Sequence, residues 1–284
     1  MQAIVHRYNR VGHFVPTSKY LDPFVKKLSI IILAYNKEKT IGFVLEKIRT
    51  VKLIQHIDKE IIVIDDCSTD KTEQSMAAYI LANPAIKIKY TRRPLNKGKG
   101  TTVHCGIKHS TGKHLLIQDV DQEYNLKEYN KLLQTIADGH ADVVYNYRSM
   151  GGGAHRILFF WHSIGNQFLT FLSNAFTNLH LTDMGTAYKV FRTNALQQIH
   201  LVEAHFGLEP EGTAKIARVP RIRLYELGVS YYGKTYKESK KIKWWDKVRT
   251  VFCVLKYFIF GESRADVSQQ KPVHIPKAAS QVIH

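Results

Sequence analysis

The stretch Leu115-Leu116-Ile117-Gln118-Asp119-Val120-Asp121-Gln122-Glu123-Tyr124 decides how this chain is read. The apolar run Leu115 to Ile117 is too short for a helix and is bounded by Gly112 before it and Asn125 after it, so it reads as a buried strand. Its C-terminal end delivers acid groups, and the C-terminal edge is where an open α/β sheet binds ligands. Asp119 and Asp121 flank a single residue, with Glu123 following, and such hard oxygen donors hold a divalent cation while leaving positions for a diphosphate. In isolation the same residues describe a polar turn after a strand. Their neighbours decide between the two.

Upstream, Leu28 to Ala34 and Glu60 to Ile64 are β-rich apolar runs, each broken by a polar loop: Tyr35-Asn36-Lys37-Glu38 after the first, Asp65-Asp66-Cys67-Ser68-Thr69-Asp70 after the second. Between them Ile41, Val44, Leu45, Ile48 and Val51 recur at helical spacing behind Thr40. Ser68, Thr69 and Asp70 are candidate N-caps for a helix through Met76 and Tyr79. Ile86, Ile88 and Tyr90 alternate with lysines, the pattern of a half-exposed strand. Asn96-Lys97-Gly98-Lys99-Gly100 then opens a helix from Thr101 to Lys108. A Gly-rich basic turn there suits phosphate through its backbone N–H groups and the helix dipole, or is simply a solvated turn. A helix from Leu126 to Ile136 and a strand from Asp142 to Asn146 continue the alternation. The expected fold is therefore α/β, a mostly parallel sheet flanked by helices, with the site on its C-terminal edge.

The character changes at Tyr147. Gly151-Gly152-Gly153 reads as a loop, and Leu158, Trp161, Ile164, Phe168 and Leu172 form an amphipathic helix that either packs on the sheet or touches a membrane. The polar loop Asp183 to Lys189 precedes a strand around Val190-Phe191, and Arg221 to Val229 reads as a late strand. After Lys234 come Lys237, Lys240, Lys241, Lys243, Lys247 and Arg249. Trp244, Trp245, Val248, Val251, Phe252, Leu255 and Ile259 follow as an apolar stripe. Basic flank, paired tryptophans and apolar face describe an amphipathic membrane-surface helix; the alternative is a helix docked on the protein's own core or on a dimer partner. The expected organisation is an N-terminal extension over 1–27, a main domain over 28–233, a membrane-associating segment over 234–261 and a disordered tail over 262–284.

Composition agrees with a folded globular chain: 284 residues, 44% hydrophobic and 11% aromatic. A formal charge of +17 asks for an anionic partner: phosphorylated ligands or an acidic membrane surface. Nucleic acid is not expected, because the basic residues sit beside an apolar stripe and are not interleaved with a stacking platform. Cys67, Cys105 and Cys253 lie far apart, which supports neither a disulfide framework nor a zinc site and favours a reducing cytosol. No signal peptide and no continuous membrane span is visible, so the expected location is cytoplasmic, peripheral on the cytosolic membrane face.

Taken in order, Ala34 to Glu38, Asp65 to Asp70, Asn96 to Gly100 and Gln118 to Tyr124 resemble the nucleotide-sugar half of a family 2 glycosyltransferase with the Rossmann-like GT-A fold. His155-Arg156, Gly165-Asn166, Asp183-Met184 with Tyr188-Lys189, Glu209-Pro210-Glu211 and Ser230-Tyr231-Tyr232-Gly233 are similar to its dolichol-phosphate mannose synthase-like branch, so that the resemblance covers about residues 28 to 260.

The resemblance implies inverting transfer of a hexose from a nucleotide diphosphate sugar, a GDP- or UDP-sugar, to a polyprenyl phosphate. Alternatives are a saccharide or protein hydroxyl acceptor, or a catalytically weak nucleotide-sugar-binding relative. It assigns Asp119, Asp121 and Glu123 to Mg²⁺ or Mn²⁺, Asp65 to the base, Ala34, Tyr35 and Glu38 to the nucleoside pocket, and Lys99 with the Gly98 and Gly100 backbone to the donor. Arg148 and Arg156 are expected to grip the acceptor phosphate, with Lys234 and Lys237 as further phosphate groups. Asp183 is the base candidate for a hydroxyl acceptor, or orients the sugar. The chain departs from the usual pattern at Cys67 (commonly Gly), Gly185 (often Glu), Gly212 (commonly β-branched), Lys234 (often Arg), Val120 and Gln122.

Overall fold

The computed structural model describes residues 27–120, 126–147, 160–186, 188–204, 207–229 and 244–259. The apolar runs become the middle of a sheet. Strand β1 (Lys27–Ala34) pairs in parallel with β2 (Asp58–Asp65) on one side and with β4 (His114–Asp119) on the other, and β3 (Ile88–Arg92) adds in parallel to β2. Ile30, Ile31 and Ile32 are fully buried, as a central strand covered on both faces requires. The register sets Ala34 beside Asp65 and Leu33 beside Asp119, so the loops after β1, β2 and β4 leave one edge together.

Strands β5 (Val143–Tyr147) and β7 (Leu224–Gly228) pair in parallel, and β6 (Lys189–Arg192) enters antiparallel between β4 and β5. The resulting order is β3-β2-β1-β4-β6-β5-β7. Because β6 runs against its neighbours, its first residue, Lys189, lies near the edge where β4 and β5 end. The loop carrying Asp183 is thereby delivered to that same edge.

Helices cover both faces. On one, α1 (Ile41–Thr50) buries Ile41, Val44, Leu45 and Ile48, as its spacing predicts, and α2 (Thr72–Ala82) and α4 (Tyr129–Ala137) share its core with Ile30 and Ile32. On the other, α3 (Lys99–His109), α5 (Phe160–Thr177), α6 (Thr193–Gln197), α7 (Leu208–Ala217) and α8 (Trp244–Ile259) contribute to a core built around Ile31, Leu115 and Ile117. The Lys59 ammonium donates to the carbonyls of Ile48, Arg49 and Val51 at 2.7, 2.8 and 2.7 Å, satisfying the exposed C-terminal end of α1.

Helix α2 starts later than the candidate caps imply. Its N-cap position is Lys71, and Asp70 acts from one residue further back by accepting the Thr72 N–H at 2.9 Å. Ser68 and Thr69 have other partners: the Ser68 hydroxyl donates to Asp65, and the Thr69 N–H to Asn36.

Helix α5 resolves into two faces. Thr170 and Ser173 are buried and Leu169 and Leu172 pack on the core, whereas Phe160, Ile164, Phe168 and Phe171 are exposed along one side. Helix α8 docks on the body of the protein through Cys253, Val254 and Tyr257, leaving Phe252 exposed. Between α6 and α7 the 201–204 loop is held from three directions. The N–H groups of Val202 and Glu203 donate to Glu211 of α7, both at 2.7 Å. The Glu203 carboxylate accepts from Tyr257, Lys256 and Arg249 of α8 at 2.8, 3.0 and 3.5 Å, and the Ala204 carbonyl accepts the Gly100 N–H of α3 at 2.8 Å.

Candidate functional site

The loops after β1 and β2 are stitched into one wall. The N–H groups of Asn36, Lys37 and Glu38 donate to Ser68 Oγ, Thr72 Oγ1 and Asp70 Oδ2 at 2.9, 2.8 and 3.1 Å, and Glu38 Oε2 accepts the Lys71 N–H at 3.0 Å. Ala34, Tyr35 and Glu38 thus share this wall. Asp65 stands at its base but faces inward: it is fully buried, Oδ1 accepts from the Ser68 N–H and hydroxyl at 2.8 and 2.6 Å, and Oδ2 accepts from the Tyr90 hydroxyl at 2.8 Å. A base contact requires an exposed oxygen, so in this arrangement Asp65 shapes the wall from behind. Cys67 has φ of 63°, the left-handed region, which accounts for the glycine usual at this position.

The Gly-rich turn corrects the expectation that its backbone cradles phosphate. The Lys97 and Gly98 N–H groups donate to the Asp66 carboxylate at 3.2 and 2.8 Å, and the Gly100 N–H goes to Ala204. An anion does sit before the start of α3, but it is the protein's own Asp66, which Arg93 also pairs at 2.9 Å. Among the described groups of this turn, the Lys99 side chain is the one turned toward the acid strand.

Asp119 ends β4 with its side chain about 30% exposed, and Lys99 Nζ lies 3.5 Å from Asp119 Oδ2 and 3.3 Å from Glu209 Oε1. Behind it Lys189 Nζ lies 2.6 Å from Glu209 Oε2, donates to the Met184 carbonyl at 3.3 Å and sits over the Tyr145 ring at 4.5 Å. Charges therefore alternate from Asp119 through Lys99 and Glu209 to Lys189, which ties the acid strand to the Asp183-Met184 loop. Burial opposes it, but the carboxylates of Asp119 and Glu209 hold the Lys99 ammonium above the ordinary lysine range. Glu209, against the same desolvation, is held below the usual carboxylate range by Lys189 and Lys99.

Asp183 is buried, accepts from Asn166 Nδ2 of α5 at 3.1 Å, and has its N–H on Glu226 Oε1 of β7 at 3.1 Å. Asn166 is on the helix whose opposite side exposes Ile164 and Phe168, so the polar end of the loop and an apolar outer face share one element. Asp121, Glu123, Arg148, Arg156, Lys234 and Lys237 lie outside the described residues, and among the described residues no three His, Cys, Asp or Glu side chains cluster as a metal site. Sequence reasoning gave no role to Glu209, Lys189, Asn166 or Glu226. The motifs holding Glu209, Asn166 and Lys189 were visible, but the cross-chain pairings that give them work were not.

The family model for glycosyl transferase family 2 matches residues 29–199. A dodecaprenyl-phosphate galacturonate synthase of Rhizobium johnstonii is 21% identical over 214 residues, covering 75% of this chain but 61% of that protein, less than two thirds of its length. A dolichyl-phosphate beta-glucosyltransferase of Trichomonas vaginalis is 28% identical over 244 residues, 81% of this chain and 74% of the relative. The fold is similar to that of glucosyl-3-phosphoglycerate synthase from Mycobacterium tuberculosis in complex with Mn²⁺, uridine diphosphate and phosphoglyceric acid. The TM-score is 0.59 at 16% identity, over 81% of this chain and 78% of that one. Among the described residues no helix is long and apolar enough to cross a membrane.

Proposed function

The chain belongs to glycosyltransferase family 2, and from that premise we propose that it moves a hexose from a nucleotide diphosphate sugar to a polyprenyl phosphate at the cytosolic face of a membrane. The observation that carries the acceptor is α5. Its inner side positions Asp183 through Asn166, and its outer side presents Phe160, Ile164, Phe168 and Phe171 to solvent. A lipid phosphate needs a polar site abutting an apolar surface, and an exposed apolar row of this kind marks an interaction surface. The polyprenyl and dolichyl acceptors in the relatives' names support the same choice.

Residues 28–233 form the transferase unit in this reading, with 234–261 adding positive charge and the exposed Phe252 for an anionic bilayer while α8 keeps Cys253, Val254 and Tyr257 against the body of the protein. Ala34, Tyr35 and Glu38 line the nucleoside side, and Asp65 holds that wall in shape. Asp119, an oxygen donor at the strand end already facing a cationic group, fits a divalent metal; Asp121 and Glu123 complete the donor set. When bound there, Mg²⁺ or Mn²⁺ supplies charge stabilisation to the departing nucleotide diphosphate. Lys99 adds a positive charge beside it. Arg148, Arg156 and Lys234 hold the acceptor phosphate, whose second pKa of about 6 leaves it anionic near neutral pH. Positioning then matters more than deprotonation. Attack opposite the leaving group inverts the anomeric centre. Asp183 orients the sugar, or serves as base if the acceptor is a hydroxyl.

Transfer of labelled sugar from a panel of GDP- and UDP-sugars to a short polyprenyl phosphate, with Mn²⁺ or Mg²⁺ and with EDTA, tests this directly. One donor yields an EDTA-sensitive glycolipid, and Asp119→Asn lowers its formation on the order of a hundredfold or more. Glycosylation of saccharide or protein hydroxyls without glycolipid overturns the acceptor assignment. Nucleotide-sugar binding without turnover identifies a weak relative.

A further inference from the structure

Lys99 is shared between two carboxylates on different elements. Its ammonium stands 3.5 Å from Asp119 on β4 and 3.3 Å from Glu209 on α7, so neither contact is the close one and a small rotation of the side chain favours either. Glu209 is anchored from the other side by Lys189 at 2.6 Å, and the Lys189 side chain is only 5% exposed. Tyr145 packs beneath that ammonium and the Met184 carbonyl accepts from it, so Glu209 is a fixed seat while Lys99 is the adjustable member.

A carboxylate that ligates a divalent cation cannot keep a lysine ammonium at close range without like-charge repulsion. We propose that Lys99 is an exchangeable counter-ion, and that Glu209 is a positioning residue which receives its ammonium when Asp119 takes a divalent cation. The inference rests on the reading of Asp119 as a metal ligand. Glu209 needs no contact with donor or metal for this task. The seat keeps Lys99 charged and near the acid strand without opposing the metal. Lys189 compensates Glu209 from behind, so the partly buried carboxylate adds no net charge to the site.

The test is Mn²⁺ binding to the full chain without nucleotide, read by electron paramagnetic resonance of free Mn²⁺, with thermal unfolding as a control. Lys189→Met with Glu209→Gln removes one charge of each sign and leaves no buried ion unpaired. It weakens Mn²⁺ binding on the order of tenfold, because Lys99 is left with Asp119 alone. Adding Lys99→Met to that background restores affinity to within about twofold of the unmodified chain. Glu209→Asp, which keeps the charge and the Lys189 pair, falls between. If the paired variant binds Mn²⁺ as tightly as the unmodified chain, or Lys99→Met fails to restore binding, the seat does not exist. Asp119→Asn separates the two levels. Full Mn²⁺ binding in that variant, or none in the unmodified chain, overturns the metal reading itself. Loss confined to Asp119→Asn overturns only the role of Glu209.

Discussion

Replacing glycine by alanine at positions 100 and 212 has opposite consequences. Gly212 lies inside α7, where the substitution by itself favours the folded state by about 1 kcal/mol, and Gly100 lies in the first turn of α3, where that preference is at most about the same. At Gly212 a Cβ meets only Leu201 Cδ2 at 3.8 Å, and the position borders an apolar cavity lined by Leu201, Leu208 and Ile216. Gly212→Ala is therefore stabilising by about 1 kcal/mol. At Gly100 a Cβ would lie 1.9 Å from the Glu203 carbonyl oxygen, 2.9 Å from its carbon and 3.0 Å from the Ala204 carbonyl carbon. These are backbone atoms of a loop gripped by α7 and α8, so they do not yield cheaply. Overpacking of about 1–3 kcal/mol and loss of about 1 kcal/mol from the Gly100–Ala204 hydrogen bond outweigh the helix preference. The net cost of Gly100→Ala is about 1–3 kcal/mol. The two variants thus differ by about 2–4 kcal/mol in urea unfolding followed by far-UV circular dichroism, read as the midpoint at constant slope. A Gly100→Ala chain as stable as the unmodified one refutes the close approach of α3 to this loop. A destabilised Gly212→Ala chain refutes the open space.

Glu60 accepts from Ser29, Lys89 and Thr111, and although burial pushes its carboxyl up, these bonds hold it down to about 2. Because the folded pKa lies below the ordinary value of 4.5, its stabilisation is complete above that value and is lost as pH falls toward 2. Glu60→Gln therefore costs roughly 2–3 kcal/mol at neutral pH and flattens the acid limb of a stability profile; an unchanged limb contradicts it. Lys59→Met, which strips three carbonyls at the end of α1 of their donor, lowers the unfolding free energy by about 1–2 kcal/mol with little effect on transfer. The same urea titration reads it.

The central strands were legible because Leu28 to Ala34, Glu60 to Ile64 and Leu115 to Ile117 are runs that only a doubly covered sheet buries, and α1 because its apolar spacing matches one helical face. The strand at Val190-Phe191 was visible, but its antiparallel direction was not, since residue pattern carries no sign of chain direction. The turn at Asn96 to Gly100 does bind an anion, yet sequence alone does not say that the anion is Asp66, brought from thirty-odd positions away. Asp65 and Asp66 are equivalent acids on paper; their inward orientation follows from Tyr90 and Arg93 on and just beyond the neighbouring strand. Glu209 and Lys189 were hardest to foresee. Charged residues read as solvated until their partners are known, and a partly buried pair declares itself only when both chains of contacts are assembled.

The 201–204 loop also sets a rule for anyone building hybrids of this chain with its relatives. Glu203 is one half of a lock whose other half, Arg249, Lys256 and Tyr257, arrives from α8. A graft that imports a foreign C-terminal helix but keeps Glu203 strands a carboxylate that is only 7% exposed. The reciprocal graft costs less, because Arg249 and Lys256 are about half exposed and stay solvated. Cross-over points belong before Leu201 or after Ile259, so that loop and helix travel as one inherited cassette.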